Sequence, residues 1–228
     1  MIYLGSVFGF IAGNYAAHLL GLDAFRVFVA MLILTIPALV GGRLLFVATH
    51  WRLYRQDLSR IWKRSEGGGR LYGGIPITLL ISIPLLSMFG ISFWSFWDVA
   101  TVTILVGMSI GRIGCLFNGC CGGRPTISRI GLRLPDLQGV WCRRIPTQLL
   151  EVASTVTLLA GAIVLWGHFP FPGSIFLYGL AGYGTARFLL EPTRVERDEV
   201  RKISLYRVTS VAIVVISITV FLIRLFNI

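Results

Sequence analysis

The sequence predicts an all-α integral membrane protein of about seven transmembrane helices, with re-entrant or loop elements gathered on one face. Three observations predict it. Of 228 residues 55% are apolar and only 14% charged, and the mean hydropathy is +0.79. A soluble domain carries roughly 25% charged residues and could not hide this much apolar surface in one core. Seven stretches approach the roughly 20 apolar residues that a bilayer crossing needs. The polar loops between them alternate between strongly basic and nearly uncharged. A soluble enzyme, a disordered chain and a disulfide-stapled miniprotein are excluded.

The seven stretches run over about 1–20, 25–49, 71–89, 97–117, 149–166, 173–190 and 203–226. The third and sixth are short or interrupted by Gly and Pro. The first lacks the basic flank and small-residue cleavage site of a secretory signal, so it reads as a retained span. The whole of 1–228 reads as one polytopic membrane domain, with 118–147 as a head-like loop outside the membrane.

Net charge is +11. On a soluble chain this would suggest nucleic acid; here the charge sits in loops that flank spans, and no nucleic-acid partner is expected. The loops 50–70, 118–147 and 191–207 hold all but five of the 21 Lys and Arg residues. With seven spans these loops share one side. The positive-inside rule would place that side in the cytoplasm.

Charged groups within or at the ends of spans are costly and usually functional. Alternating span direction brings Arg43, Tyr72, Arg112, Glu151, Arg187 and Glu191 to one membrane depth, from five different helices. Guanidinium forks suit phosphate oxygens, and carboxylates can position the arginines or handle protons. A phospholipid headgroup already lies at that depth. Glycine-rich backbone flanks the same level, at 67–74, including Gly73 and Gly74, and at 119–126, including Gly123. Neither run carries the Gly-Lys-Ser/Thr end of a P-loop.

All four cysteines, Cys115, Cys120, Cys121 and Cys142, fall in a stretch of 28 residues around the second basic loop. Four readings stand: an activated thiolate or acceptor-related group, a disulfide from Cys142 to Cys120 or Cys121, a metal cluster of non-standard spacing, or small buried apolar residues. No metal or cofactor is assigned from the sequence. His18 and His168 read as interface residues on the charge-poor side, and His50 ends the second span on the basic side.

The motifs Gly41-Gly42-Arg43-Leu44, Gly111-Arg112-Ile113-Gly114 running on to Gly123-Arg124-Pro125-Thr126, and Pro146-Thr147-Gln148-Leu149-Leu150-Glu151 form one ordered series. Tyr178-Gly179 and Arg187-Phe188-Leu189-Leu190-Glu191 complete it. In order and spacing the series resembles the prolipoprotein diacylglyceryl transferase family over nearly the whole chain. The resemblance implies a bacterial inner-membrane, multi-pass enzyme. Such an enzyme moves the diacylglyceryl group of phosphatidylglycerol onto the lipobox cysteine of a lipoprotein precursor and releases glycerol phosphate. It implies that Arg112 and Arg187 hold the lipid phosphate, that Glu151 and Glu191 orient them, and that Asn14, Tyr15 and Gly123 lie nearby. Arg43, Gly73, Gly74, Cys115, Cys120 and Cys121 join the expected substrate-binding set. The family's outward-facing site conflicts with the positive-inside count, and the resemblance is preferred because arginines recruited to an anionic lipid inflate that count.

The chain departs from the family at chemically important places. The His-Gly-Gly motif reads Tyr72-Gly73-Gly74, the signature's Asn and Glu are Cys115 and Cys120, and the histidine before Pro-Thr-Gln is Ile145. Tyrosine, with an ordinary pKa near 10, is a weak base at neutral pH. These departures keep two other readings open: an enzyme of the same fold with a different acceptor, and a non-catalytic anionic-lipid-binding scaffold.

Overall fold

The computed structural model describes residues 2–55, 57, 61, 71–135, 139–194, 199–200 and 203–226. Seven long helices coincide with the seven predicted stretches: α1 (Ile2–Leu19), α2 (Ala24–Thr49), α4 (Leu71–Phe89), α5 (Phe93–Phe117), α6 (Thr147–Val164), α7 (Ser174–Leu190) and α8 (Leu205–Phe226). A one-turn helix, α3 (Trp51–Tyr54), follows α2. Two hairpins, β1 (Leu132–Pro135) with β2 (Trp141–Arg144) and β3 (Glu199–Val200) with β4 (Ile203–Ser204), occupy the basic loops.

Among the described residues, four helices are long and apolar enough to cross a membrane: Ala24–Thr49, Phe93–Phe117, Thr147–Val164 and Tyr206–Phe226. Gly73–Phe89 is a shorter apolar helix. The boundaries differ from the sequence reading by a few residues. Helix α5 starts at Phe93, so Trp94 and Phe96 are helical. The last span starts at Leu205, because Ile203 and Ser204 are taken into a hairpin.

Large apolar side chains cover the outside, and small polar ones are found inside beside the apolar core. Leu80, Met88, Phe117, Val164 and Phe226 are exposed, whereas Ser82, Thr155, Ser174, Ser210 and Ser217 are fully buried. Lipid is as apolar as leucine, so small residues and hydrogen bonds join apolar packing in holding the helices together.

The chain divides into two compact units, Ala17–Phe96 and the combination of Met1–Ala16 with Trp97–Ile228. In the first, α2 and α4 touch backbone to backbone. A Cβ on Gly41 would lie 2.6 Å from the Gly73 carbonyl oxygen, and one on Gly74 would lie 2.5 Å from that of Ala38. Asp23 caps α2 by accepting from the Phe25 and Arg26 amides at 3.0 and 3.1 Å.

In the second unit α1 packs on α5 through a small-residue seam. A Cβ on Gly5 would approach the Gly107 carbonyl oxygen at 2.8 Å, and one on Gly9 would approach that of Thr103 at 2.7 Å. Ser109 and Thr155 hydroxyls meet at 2.8 Å between α5 and α6. At the other end of α5, Asp98 accepts from the Gly173 amide at 2.6 Å and the Phe176 amide at 2.8 Å. It therefore satisfies the open N-terminal donors of α7 from a different helix. Gly173 precedes α7 at φ +98, a left-handed conformation suited to glycine. This clamp anchors α7 with its C-terminal end, and Arg187, directed toward the basic loops.

A candidate anion site of three arginines and two glutamates

Glu151 lies in the first turns of α6, which begins at Thr147 immediately after Pro146. Its carboxylate gathers three guanidiniums. Arg112 Nε, from the end of α5, is 2.7 Å from Oε2. Arg194 Nη1 donates to Oε1 at 2.7 Å, and Arg187 Nη1, from the end of α7, is 3.6 Å from the same oxygen. Arg187 Nη2 in turn pairs with Glu191 at 3.0 Å, one helical turn on.

Arg187, Glu151 and Glu191 are buried, and Arg112 and Arg194 nearly so. Among the described residues three guanidiniums meet two carboxylates here, and the Cys121 thiol lies near enough to Arg112 and Arg194 to feel both charges. Guanidinium donors that converge in this way suit the oxygens of an anion. Arg187 Nη1 is buried and has no hydrogen-bond partner among the described residues. The Arg187 guanidinium also lies over the Tyr206 ring, 4.5 Å from its centroid.

Backbone pairing places Arg194. Pro192 sits in the 3₁₀ turn Glu191–Thr193 that closes α7. Arg124 then donates its amide to the Thr193 carbonyl at 2.8 Å, and Gly123 bridges Arg194 in antiparallel fashion. Thr147 and Thr193 hydroxyls meet at 3.0 Å. Gly123 is buried against Ile145, where an added Cβ would fall on the carbonyl oxygen. Gly123 thus lies one backbone pairing away from Arg194 of the cluster.

The α5 terminus builds a second feature. The Cys120 amide bonds to the Cys115 carbonyl at 3.1 Å and the Gly119 amide to that of Leu116 at 3.3 Å, with Gly119 at φ +66. This is the Schellman closure of a helix, and it folds the chain back over its last turn. Cys121 follows at φ +59, strained for a non-glycine residue. Gln148 Nε2 donates to the Cys120 carbonyl at 2.8 Å, tying the turn to α6. As a result the thiols of Cys115, Cys120 and Cys121 lie within 4.8 Å of one another. A hydrogen bond with the Cys115 thiol, together with the Arg112 and Arg194 charges, holds the Cys121 thiol down to about 5. Cys142 stands apart on β2 opposite Leu134. All four cysteines are free, so the disulfide from Cys142 to Cys120 or Cys121 is not formed.

Of the residues expected at one depth, Arg112, Glu151, Arg187 and Glu191 are thus in mutual contact. Arg43 belongs to the other compact unit. There it is buried, donating to the Ile61 carbonyl at 2.7 Å and the Tyr54 hydroxyl at 3.4 Å. Gly73 and Gly74 lie against α2 in that unit, where their missing side chains serve helix packing. The Tyr72 side chain lies outside the described residues. Asn14 and Tyr15 are exposed on α1, and His50 ends α2 with Nδ1 3.1 Å from the Phe46 carbonyl oxygen.

Two members of the cluster escape sequence reasoning. Arg194 was visible only as one loop cation among many. Tyr183 sits one turn before Arg187 on α7, half-buried, with Arg112, Arg187, Glu151 and Arg194 as its electrostatic neighbours. The four-residue spacing to Arg187 is the signal that could have found it.

The family model for prolipoprotein diacylglyceryl transferase matches residues 1–223. Among curated relatives, the phosphatidylglycerol–prolipoprotein diacylglyceryl transferase of Bacillus mycoides (strain KBAB4) is 30% identical over 211 residues, covering 86% of this chain and 76% of its own. The enzymes of the same name from Bacillus cereus (strain B4264) and Bacillus anthracis (strain A0248) are 29% and 30% identical over the same shares. The chain belongs to the prolipoprotein diacylglyceryl transferase family.

Proposed function

We propose that this protein transfers the diacylglyceryl group of phosphatidylglycerol to the thiol of a lipobox cysteine in a prolipoprotein, releasing glycerol phosphate. The observation that carries this reading is the convergence of Arg112, Arg187 and Arg194 on one carboxylate, in which Arg187 keeps a buried donor without a hydrogen-bond partner among the described residues. An anionic phosphodiester headgroup offers oxygens to that donor and charge to those guanidiniums.

The acceptor sulfur attacks the glyceryl carbon that carries the phosphate ester. A carbon–sulfur bond forms, the carbon–oxygen bond breaks, and its electron pair leaves with glycerol phosphate. The phosphodiester begins with one negative charge, and the departing monoester approaches a charge of about −2. Arg112, Arg187 and Arg194 therefore bind the transition state more tightly than the lipid, which is the condition for catalysis. Glu151 and Glu191 hold the guanidiniums in place before the charge develops. Asn14, Tyr15 and Gly123 are assigned the remaining substrate-binding roles, and Tyr72 stands in the sequence where the family has its histidine.

The protein acts as a multi-pass protein of the bacterial inner membrane, with seven spans in one polytopic domain and 118–147 as its extramembrane head. The site opens on the outer face, where prolipoproteins emerge. The test is glycerol phosphate release by purified protein in phosphatidylglycerol liposomes, with and without a lipobox cysteine peptide. Release coupled to a diacylglyceryl mass on the peptide is the expected result. Lipid binding without release would overturn the enzyme reading in favour of a lipid-binding scaffold.

A further inference from the structure

We propose that Cys115, Cys120 and Cys121 form a three-thiolate site for a zinc-class divalent cation, whose open fourth position binds and activates the acceptor thiol. This rests on the transferase reading above and supplies what the Tyr72 substitution leaves missing, a means of producing the acceptor thiolate.

The geometry comes first. Three sulfurs bonded tetrahedrally to one cation at about 2.3 Å stand about 3.8 Å apart. The three Sγ atoms here lie within 4.8 Å of one another, so a closure of about 1 Å completes the set. The Schellman closure of α5 brings Cys120 back over Cys115, the strained φ +59 of Cys121 turns the next residue, and Gln148 pins the turn. Backbone strain in a non-glycine residue persists only where its surroundings hold it.

Ligand chemistry comes second. Soft thiolates select zinc-class and cuprous ions over magnesium or calcium. Three thiolates and a dication leave one negative charge, and the Arg112 and Arg194 guanidiniums face Cys121. Structural zinc sites take four protein ligands, whereas catalytic ones keep a position open. Cys142, the remaining thiol, stands outside the group, so among the described residues the trio has the ligand count of an open site.

Position comes third. Cys115 lies three residues after Arg112 on α5, one helical turn from the guanidinium that pairs with Glu151. A thiol on the open position would thus stand beside the phosphate site. On binding it gives its proton to water, since a coordinated thiol is deprotonated. Its sulfur pair then forms the carbon–sulfur bond while the carbon–oxygen pair departs with glycerol phosphate. The thioether product is a weak ligand and yields the position to water. A covalent diacylglyceryl–cysteine enzyme would reach a dead end, because a thioether sulfur is a poor leaving group at saturated carbon.

The experiment uses the full chain, purified in detergent and stripped with chelator, then titrated with Zn²⁺ and with Co²⁺ as spectroscopic probe. About one metal per chain and an intense near-ultraviolet thiolate-to-cobalt band are expected. A lipobox cysteine peptide shifts the visible cobalt bands, and its serine counterpart does not. Cys120→Ala and, at the exposed position, Cys121→Ser each weaken cobalt binding by about tenfold or more; Cys142→Ala changes neither binding nor turnover. Wild type binding cobalt no better than Cys120→Ala would overturn the metal site. Undiminished transfer by the stripped protein would overturn the metal's role and leave the transferase reading standing. A peptide-dependent cobalt shift without glycerol phosphate release would keep the site and remove the transferase reading.

Discussion

Arg194 Nη1 donates to Glu151 Oε1 at 2.7 Å across 43 residues of sequence, joining the loop after α7 to the first turns of α6. This bond closes the arginine cluster, and it makes Glu151 the shared counter-ion of three guanidiniums.

Glu151→Ala leaves those three guanidiniums with Glu191 as the remaining carboxylate of the cluster. Removing one partner of a buried ion pair costs about 3–5 kcal/mol, so a large fall in thermal stability is expected in detergent. Glu151→Gln keeps the shape and loses the charge. It should fold, bind phosphatidylglycerol, and turn over at least about 100-fold more slowly. Near-wild-type turnover of Glu151→Gln would refute the positioning role.

Arg112→Ala and Arg187→Ala each remove a donor aimed at the developing phosphate charge. A loss of about 10²–10³ in kcat is expected for each. The double variant should lose less than the product of the two, because both act on one ligand through one carboxylate. Full additivity in a double-mutant cycle would place the two arginines at separate sites.

Gly123→Ala drives a Cβ onto the Ile145 carbonyl oxygen. Relief requires the Gly123–Arg194 pairing to shift, at a cost of about 1–3 kcal/mol. Activity should therefore fall although no charged group has changed. Gly139, at φ +79 with open space around its Cβ position, provides the contrast: Gly139→Ala strains the backbone and should leave turnover intact.

Asp98→Ala removes the acceptor shared by the Gly173 and Phe176 amides. Two buried donors lose their partner, and a destabilisation of about 1–3 kcal/mol is expected. A thermal shift in detergent would measure it. Asp98→Asn should recover part of the loss, since an amide oxygen still accepts.

Cys121, held down to about 5, is a thiolate above that pH. In chelator-stripped protein its alkylation rate should rise through pH 5 and level off by pH 7, with the midpoint set by the hydrogen bond to Cys115 and the Arg112 and Arg194 charges. Cys115→Ala removes the larger of these causes and moves the midpoint upward. Mass mapping of iodoacetamide adducts against pH is the measurement. A wild-type midpoint near the ordinary thiol value of about 8.5 would refute the electrostatic picture.

The helical character, the seven apolar stretches and the convergence of Arg112, Glu151, Arg187 and Glu191 were legible along the chain. Hydropathy is a local property, and counting spans of alternating direction assigns each helix end to a side without any knowledge of packing. Partner choice was not legible. Arg194 reaches Glu151 because Gly123 and Arg124 pair with the segment after α7, and no periodicity announces a pairing between loops about 70 residues apart. Three cysteines cluster while Cys142 stays outside because Gly119 and Cys121 adopt positive φ, a turn geometry that the spacing of the thiols does not encode. Gly73 and Gly74 read equally well as ligand-facing or helix-facing glycines until α2 is seen against them. Which surfaces face lipid follows from composition along the chain; which side chain faces which depends on loop closure in three dimensions, and that only the tertiary structure could decide.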